Sequence, residues 1–191
     1  LYLYMKIRKP KKSDIIFLVI IVLLIIPQTR HPIQIALHSV ISKFNPSVID
    51  KEDRKKVLYT SWKLRDLNGV EQDFVETKGK VVFVNLWATW CPPCIAEFQS
   101  VQDLYDDYKE EIVFLLVSDE SPFVINNFLD KKGYEIQIFN PLTNYPSDFN
   151  PTSIPRTYII DKSGYIVVDK KGAANWNSEK VRDQLDELLA N

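Results

Sequence analysis

Residues 81–97 read VVFVNLWATWCPPCIAE, and the rest of the chain is organised around them. The segment 81–87 is rich in β-branched and aromatic side chains, which is typical of a strand that is buried on both faces. The motif that follows, Cys-Pro-Pro-Cys at 91–94, is expected to open a helix, because a first-turn proline lacks only an N–H that has no intrahelical partner. The strand thus delivers Cys91 to the positive end of a helix dipole, where a thiolate is favoured over a thiol.

Cys91 and Cys94 are the only cysteines of the chain, and they stand one helical turn apart. That spacing allows a disulfide between them. One sulfur can then attack a partner disulfide, and the other can resolve the mixed disulfide that forms. Two cysteines are too few for a disulfide-stapled framework or for a four-ligand zinc site. We expect Cys91 to be the attacking thiol, nearer the surface at the helix start, and Cys94 to be the more buried resolving thiol.

This stretch resembles the active site of thioredoxin-like proteins, most closely the membrane-anchored TlpA/ResA group of bacterial thiol–disulfide oxidoreductases. The resemblance rests on Trp90 before the Cys-x-x-Cys motif, on Glu97 three residues after it, and on the sequence SIPRT at 153–157. It covers about residues 59–189. One departure from thioredoxin itself is Asn85, which stands where thioredoxin carries a buried aspartate, so that proton acceptor is absent.

The resemblance implies a proton-handling role for Glu97, with Trp90, Pro92 and Pro93 as supporting residues of the site. Taken by itself, Glu97 equally fits a solvated helix surface, since the helix dipole already favours a carboxylate in the first turns.

A third part of the site is expected at Pro155. In the thioredoxin fold, the proline before the next-to-last strand is cis and its loop faces the cysteines; the alternative is a plain trans proline that starts a strand. The resemblance implies that the loop holds a substrate peptide by backbone hydrogen bonds beside Cys91. Ile154 is expected to shape that substrate-binding surface.

The hydrophobic pattern predicts an α/β fold with a mixed central sheet, helices on both faces and an N-terminal β-hairpin extension. This agrees with the thioredoxin fold that the resemblance implies. The hairpin is turned by Asn68-Gly69, a strong hairpin signal. Further strands are predicted at 112–117, 135–139, 157–160 and 165–168, and helices after Cys94, from Ser121-Pro122 to Lys132, and after Ser178.

Residues 1–30 have the pattern of a membrane anchor or a signal segment, with Met5 as the expected start. Five Lys or Arg residues between 6 and 12 precede the unbroken apolar run 15–26. Twelve helical residues cover only about 18 Å of a hydrocarbon core of about 30 Å, which fits a cleaved signal peptide. No small-x-small cleavage site follows, however, and a helix over 13–29 with snorkelling ends can just span. The resemblance favours the uncleaved anchor.

The remaining chain divides into an amphipathic segment and linker at 31–56 and a thioredoxin-like domain at 57–191. The linker is its polar part, 45–56. Residues 1–56 carry 11 Lys/Arg and 4 Asp/Glu, whereas 57–191 carry 13 and 21, so the charges are +7 and −8. An acidic globular part argues against nucleic acid as a partner. The positive N-terminal flank is expected to stay inside, which places the domain on the periplasmic, extracytoplasmic side of the cell membrane.

The sequence thus predicts an extracytoplasmic thiol–disulfide oxidoreductase. The resemblance suggests a reductase of specific protein disulfides, as in cytochrome c or oxidase assembly, supplied by a membrane thiol-reductase electron donor. No cofactor is expected, because there is no phosphate cradle or dinucleotide fingerprint. No metal is expected either, because His31 and His38 lack a nearby cysteine or carboxylate.

Three alternatives stay open. One is an oxidase that introduces disulfides into exported proteins. Another is a Cu(I)-binding chaperone of thioredoxin-like fold that uses both thiolates, although such proteins typically add a late histidine and none follows His38. The third is a catalytically idle interaction domain.

Overall fold

The structure, a computed structural model, describes residues 11–41, 45–149 and 151–191. Within them lie five α-helices, two short 3₁₀ helices (Lys51–Asp53 and Phe74–Thr77) and seven strands. The helices are α1 Lys12–Ile25, α2 Pro27–Ile41, α3 Pro92–Tyr108, α4 Pro122–Lys132 and α5 Glu179–Ala190. The strands are β1 Lys63–Asp66, β2 Glu71–Asp73, β3 Val82–Leu86, β4 Val113–Val117, β5 Ile138–Pro141, β6 Arg156–Ile160 and β7 Ile166–Lys171.

The strands form one mixed sheet in the order β2-β1-β5-β4-β3-β6-β7. Strands β3, β4 and β5 run parallel, and the pairs at either side of them are antiparallel. All residues of β3 are buried, as its apolar composition predicts. The predicted N-terminal hairpin is also confirmed: β1 and β2 pair antiparallel across the Asn68-Gly69 turn, where Asp66 accepts the N–H groups of Asn68 and Val70.

The three helices of the domain pack on one face of the sheet, so the prediction of helices on both faces is wrong. Phe83 of β3 packs in a helix-side core with buried residues of α3, α4 and α5. Its neighbours Val82 and Val84 point to an opposite core, which is closed by Trp62, Phe74 and Phe149 instead of an α-helix. The reason is topological. The right-handed crossovers β3-α3-β4 and β4-α4-β5 step in the same direction along the sheet, which puts both helices on the same side.

Strand β5 begins three residues later than the pattern of 135–139 predicts. The backbone of Glu135 is held by a side chain of α3: its N–H donates to Gln102 Oε1 at 3.0 Å, and its carbonyl accepts from Gln102 Nε2 at 3.3 Å. Those hydrogen bonds replace strand pairing. Helix α4, in contrast, runs from Pro122 to Lys132 as predicted, and Gly133 ends it in the left-handed conformation.

The helix predicted over 13–29 is divided into α1 and α2. Ile26 has an extended backbone between them, which is expected of a residue that precedes a proline. No single helix among the described residues is long and apolar enough to cross a membrane. Within the described ranges, only two helical segments taken together have the length and apolar composition of a membrane-crossing helix, namely Lys12–Leu23 and Gln28–Leu37. The angle between them is 93°.

Parts of the N-terminal predictions lie outside the described residues. These are the basic residues before 11 and the side chains of His31 and His38.

The segment predicted as a polar linker lies partly against the domain. Pro46 is buried, and Val48 and Ile49 pack against the two cores. Backbone hydrogen bonds join Ile49 N–H to the Val167 carbonyl at 2.8 Å and Ile166 N–H to the Lys55 carbonyl at 2.8 Å. The apolar side chains at 46–49 explain this packing, because they find an apolar surface beside β7 and α5.

Gly164→Ala is expected to cost more stability than Gly69→Ala. Both glycines have a positive φ, so alanine is strained at either position, by about 1–3 kcal/mol. At Gly164 an added Cβ also meets the ring of Tyr59 at 2.9 Å, whereas at Gly69 nothing lies within 4 Å. Urea unfolding of the two variants measures the difference. Equal losses of stability would mean that Tyr59 moves aside without cost.

Candidate active site

Cys91 and Cys94 form a disulfide at the N-terminus of α3, with their Cα atoms 5.2 Å apart. Cys91 is the N-cap residue, and its Sγ accepts the backbone N–H of Cys94 at 3.3 Å. Pro92 and Pro93 occupy the first two helical positions and have no N–H to offer. The helix start therefore directs a single backbone donor to the Cys91 sulfur.

Both cysteines are buried in this oxidised state. Cys91 is 3% exposed and Cys94 1%, so Cys94 is the more buried of the two, as expected, but the difference is small. The two sulfurs belong to the helix-side core, because α3 must bury its apolar face against β3. Trp90, directly before the pair, is 64% exposed. The surface at this point of the chain is thus an aromatic ring rather than a sulfur.

Glu97 is buried, and the alternative of a solvated helix surface is wrong. It is 2% exposed and lies one turn after Cys94, on the same face of α3. Its Oε1 accepts Asn85 Nδ2–H at 3.0 Å. Its Oε2 accepts the backbone N–H of Ala174 at 3.0 Å and the indole Nε1–H of Trp176 at 2.9 Å. Three neutral donors thus surround a carboxyl group away from water.

Burial raises the pKa of Glu97 to about 7. The hydrogen bonds from Trp176, Ala174 and Asn85, and the charge of Lys170, lower the pKa, but they offset only part of the desolvation. A carboxyl group of this kind exchanges its proton near neutral pH, which an exposed glutamate does not.

Asn85 links Glu97 to strand β6. It pairs directly with Thr157 across the sheet, and its Nδ2 donates to Thr157 Oγ1 at 2.8 Å as well as to Glu97. An amide at this position cannot take up a proton from the site, but it can orient a carboxylate that can. Both Asn85 and Thr157 are buried.

The Ile154–Pro155 peptide bond is cis, as predicted. Pro155 is buried directly before β6, and its carbonyl accepts the N–H of Gly172. Ile154 is partly buried and packs against both cores. Arg156, the first residue of β6, pairs with Leu86, the last residue of β3. Pro155 therefore lies at the end of the sheet where β3 leads into the cysteine motif.

A cleft of about 180 Å³ lies beside the cysteine motif. Trp90 and Ile154 both line it, so the structure brings these two predicted site residues to one surface. Apolar and polar side chains both line it, and they include Leu86, Trp87, Ala88, Val117, Ser118, Asp119, Glu120 and Tyr145.

Sequence reasoning did not include Glu120 among the site residues, because it fits a polar loop after a strand equally well. Its carboxylate accepts the backbone N–H of Thr89 at 2.6 Å and the Thr89 hydroxyl at 2.7 Å, which fixes the chain just before Trp90. Its position in the chain gives a signal. Thr89 stands three residues after Leu86 of β3, and Glu120 stands three residues after Val117 of β4. Leu86 and Val117 pair in parallel strands, so the two residues that follow them lie at the same edge of the sheet. The other missed residue, Trp176, has no such signal, because it lies in a loop far along the chain.

Comparisons with known proteins agree with this geometry. The family model described as Redoxin matches residues 46–188. Thiol-disulfide oxidoreductase ResA from Bacillus thuringiensis subsp. konkukian is 31% identical over 129 residues, which are 65% of this chain and 70% of that protein.

Two solved structures share the fold. A DsbF homologue from Corynebacterium diphtheriae has a TM-score of 0.58 at 19% identity, over 73% of this chain and 92% of that one. StoA from Bacillus subtilis has a TM-score of 0.52 at 19% identity, over 70% of this chain and 98% of that one. The predicted thioredoxin fold is thereby confirmed. The chain belongs to the Redoxin family and is a protein thiol–disulfide oxidoreductase of the ResA/TlpA-like thioredoxin group.

Proposed function

We propose that this protein is an extracytoplasmic reductase of specific protein disulfides, with Cys91 as the attacking thiol and Cys94 as the resolving thiol. The observation that carries the direction of the reaction is the single backbone N–H that reaches the Cys91 sulfur. A strongly oxidising dithiol pair needs a highly stabilised thiolate. Here two of the donors of the first turn are replaced by proline.

The reaction proceeds in two exchange steps. In the reduced protein, the Cys91 thiolate attacks a substrate disulfide, forms a mixed disulfide, and releases the first substrate thiolate, which takes up a proton. Cys94 then loses its proton and attacks the Cys91 sulfur, so the Cys91–Cys94 disulfide forms and the second substrate thiolate leaves. Two electrons pass to the substrate. A second dithiol protein returns the pair to its reduced form by the same exchange.

Glu97 is the group that we propose takes the proton from Cys94. It lies one turn further along α3, on the same face as Cys94, and both residues are buried. A pKa of about 7 suits a group that must both accept and return a proton near neutral pH.

Substrate binding is proposed at the surface formed by Trp90, Ile154 and Pro155. The cleft beside them is lined by both apolar and polar side chains, a combination that suits an extended peptide. The clients we propose are protein disulfides such as those in cytochrome c or oxidase assembly, on the basis of the resemblance. A membrane thiol-reductase is the proposed electron donor, and residues 1–30 are the proposed membrane anchor.

The reduction potential of the Cys91–Cys94 couple is expected to lie near that of thioredoxin, about −270 mV. The physical reason is that one backbone N–H reaches the Cys91 sulfur in the oxidised protein, so we expect limited stabilisation of the thiolate after reduction. Equilibration of the full chain with glutathione or dithiothreitol buffers, followed by thiol alkylation, measures the potential.

A potential near that of DsbA, about −120 mV, would overturn the reductase proposal and favour an oxidase. Pro93→His offers a matched comparison, because it adds an N–H and an imidazole beside the sulfur. We expect it to raise the potential.

A further inference from the structure

We propose that Trp176 is a positioning residue for Glu97: its indole N–H holds the Glu97 carboxylate in one orientation. This inference rests on the proposed role of Glu97 in proton exchange. It concerns a buried loop residue, 79 positions along the chain from Glu97, that is not among the residues lining the cleft.

The geometry of the carboxylate carries the argument. Glu97 Oε2 accepts two hydrogen bonds, from Ala174 N–H at 3.0 Å and Trp176 Nε1–H at 2.9 Å, and both donors come from the loop that follows β7. Oε1 faces the other way and accepts from Asn85. With donors on both oxygens, the carboxylate cannot rotate without breaking a bond in a site that excludes water.

The loop that presents Trp176 is itself fastened to α3. The backbone N–H of Trp176 donates to Ser100 Oγ at 3.2 Å. Ser100 lies one turn after Glu97 on the same helix. The indole ring is fully buried and packs edge-on against Phe83, with ring centroids 5.1 Å apart. The backbone hydrogen bond and the ring packing thus fix the orientation of the indole, independently of its hydrogen bond to Glu97.

Within the part of the chain that the structure describes, few other groups lie close enough to influence the charge of Glu97. Facing it are Asn85 from β3, the Ala174 and Trp176 N–H groups from the loop, and the charge of Lys170 from β7, while Cys94 lies on its own helix. Asn85 and the backbone N–H do not titrate. Among the described residues, the indole N–H is therefore the one side-chain donor to Glu97 outside the sheet, and it can be removed without changing a charge.

Trp176→Phe tests the inference, because it removes the N–H and keeps most of the ring. The expected result is a Glu97 carboxyl that releases its proton at a pH higher by roughly one to two units, since a hydrogen bond to a charged group is lost. Carbon-13 NMR of the glutamate carboxyls in the oxidised full chain measures the midpoint. An unchanged midpoint would overturn the inference.

Trp62→Phe is the matched control. Trp62 is also fully buried, but its Nε1 has no hydrogen-bond partner among the described residues, so the same substitution breaks no bond. We expect it to leave the Glu97 midpoint in place. An equal shift in both variants would show a general effect of indole removal and would contradict the specific role of Trp176.

A measurement on the unaltered chain guards against a Trp176→Phe protein that does not fold. The indole N–H resonance of Trp176 should move with pH at the same midpoint as the Glu97 carboxyl, and Glu97→Gln should abolish the movement. A resonance that stays fixed would overturn the inference. The proposed function has a separate readout: if Glu97→Gln leaves the pH profile of disulfide exchange unchanged, the proton-transfer role fails even where the NMR coupling is found.

Discussion

Cys91→Ser is expected to abolish disulfide reduction, whereas Cys94→Ser is expected to stop after the first exchange step. Without the Cys91 sulfur there is no nucleophile at the helix start, and loss of a covalent nucleophile lowers rates on the order of a thousandfold or more. With Cys94 replaced, Cys91 can still attack, but no neighbouring thiol resolves the product. The mixed disulfide should therefore accumulate.

A chromogenic aromatic disulfide separates the two variants. Reduced Cys94→Ser should release about one equivalent of thiol in a burst and then stop, with the label retained on Cys91 by mass spectrometry. Reduced Cys91→Ser should show no comparable burst. Because both sulfurs are buried in the oxidised state, exposure does not assign the roles by itself. The opposite pattern would make Cys94 the attacking thiol and would reverse the proposed order of steps.

The oxidised protein is expected to lose stability relative to Glu97→Gln as the pH rises from about 4.5 to 7. The pKa of Glu97 is raised from 4.5 to about 7 by burial, so between these values the folded state holds a proton that the unfolded state has released. Its contribution to stability is fully present below pH 4.5 and is lost as the pH passes the folded-state pKa. The expected loss is about 3 kcal/mol.

Urea unfolding of both proteins at several pH values measures this loss, and the variant supplies the baseline. The amide that replaces the carboxyl group in the Glu97→Gln variant does not titrate. Any stability that the substitution removes by changing hydrogen bonds is therefore a constant offset, which does not affect how the difference in unfolding free energy changes with pH. The disulfide removes the cysteines from the titration. A difference between the two proteins that does not change with pH would mean that Glu97 ionises at its ordinary pKa in the folded state.

The parts of the fold that sequence predicts well are those with local causes. Asn68-Gly69 turns a hairpin, and Gly133 ends α4, because the required backbone conformations are properties of those residues themselves. The side of the sheet on which α4 packs has no local cause. It follows from the position of β5 beyond β4, and nothing in residues 122–132 reports that strand order.

The site divides in the same way. The cysteine motif and the cis proline belong to short patterns, and the sequence predicts them. The burial of Glu97 depends on Asn85, 12 residues away, and on Trp176, 79 residues away. A charged residue at a helix start ordinarily faces water. The folded sheet brings these donors together around Glu97, and their hydrogen bonds offset part of the free-energy cost of burying its carboxyl group.

The packing of residues 46–57 beside β7 has a consequence for solubility. Strand β7 is the last of the sheet, and an uncovered outer strand offers its backbone groups to another chain. Here the outer side of β7 is partly occupied, because Val167 receives Ile49 N–H, Ile166 N–H donates to Lys55, and Lys56 bridges to Tyr165. A domain cut at residue 57 loses this cover and gains a template for intermolecular β-pairing. A domain that begins at residue 46 keeps it.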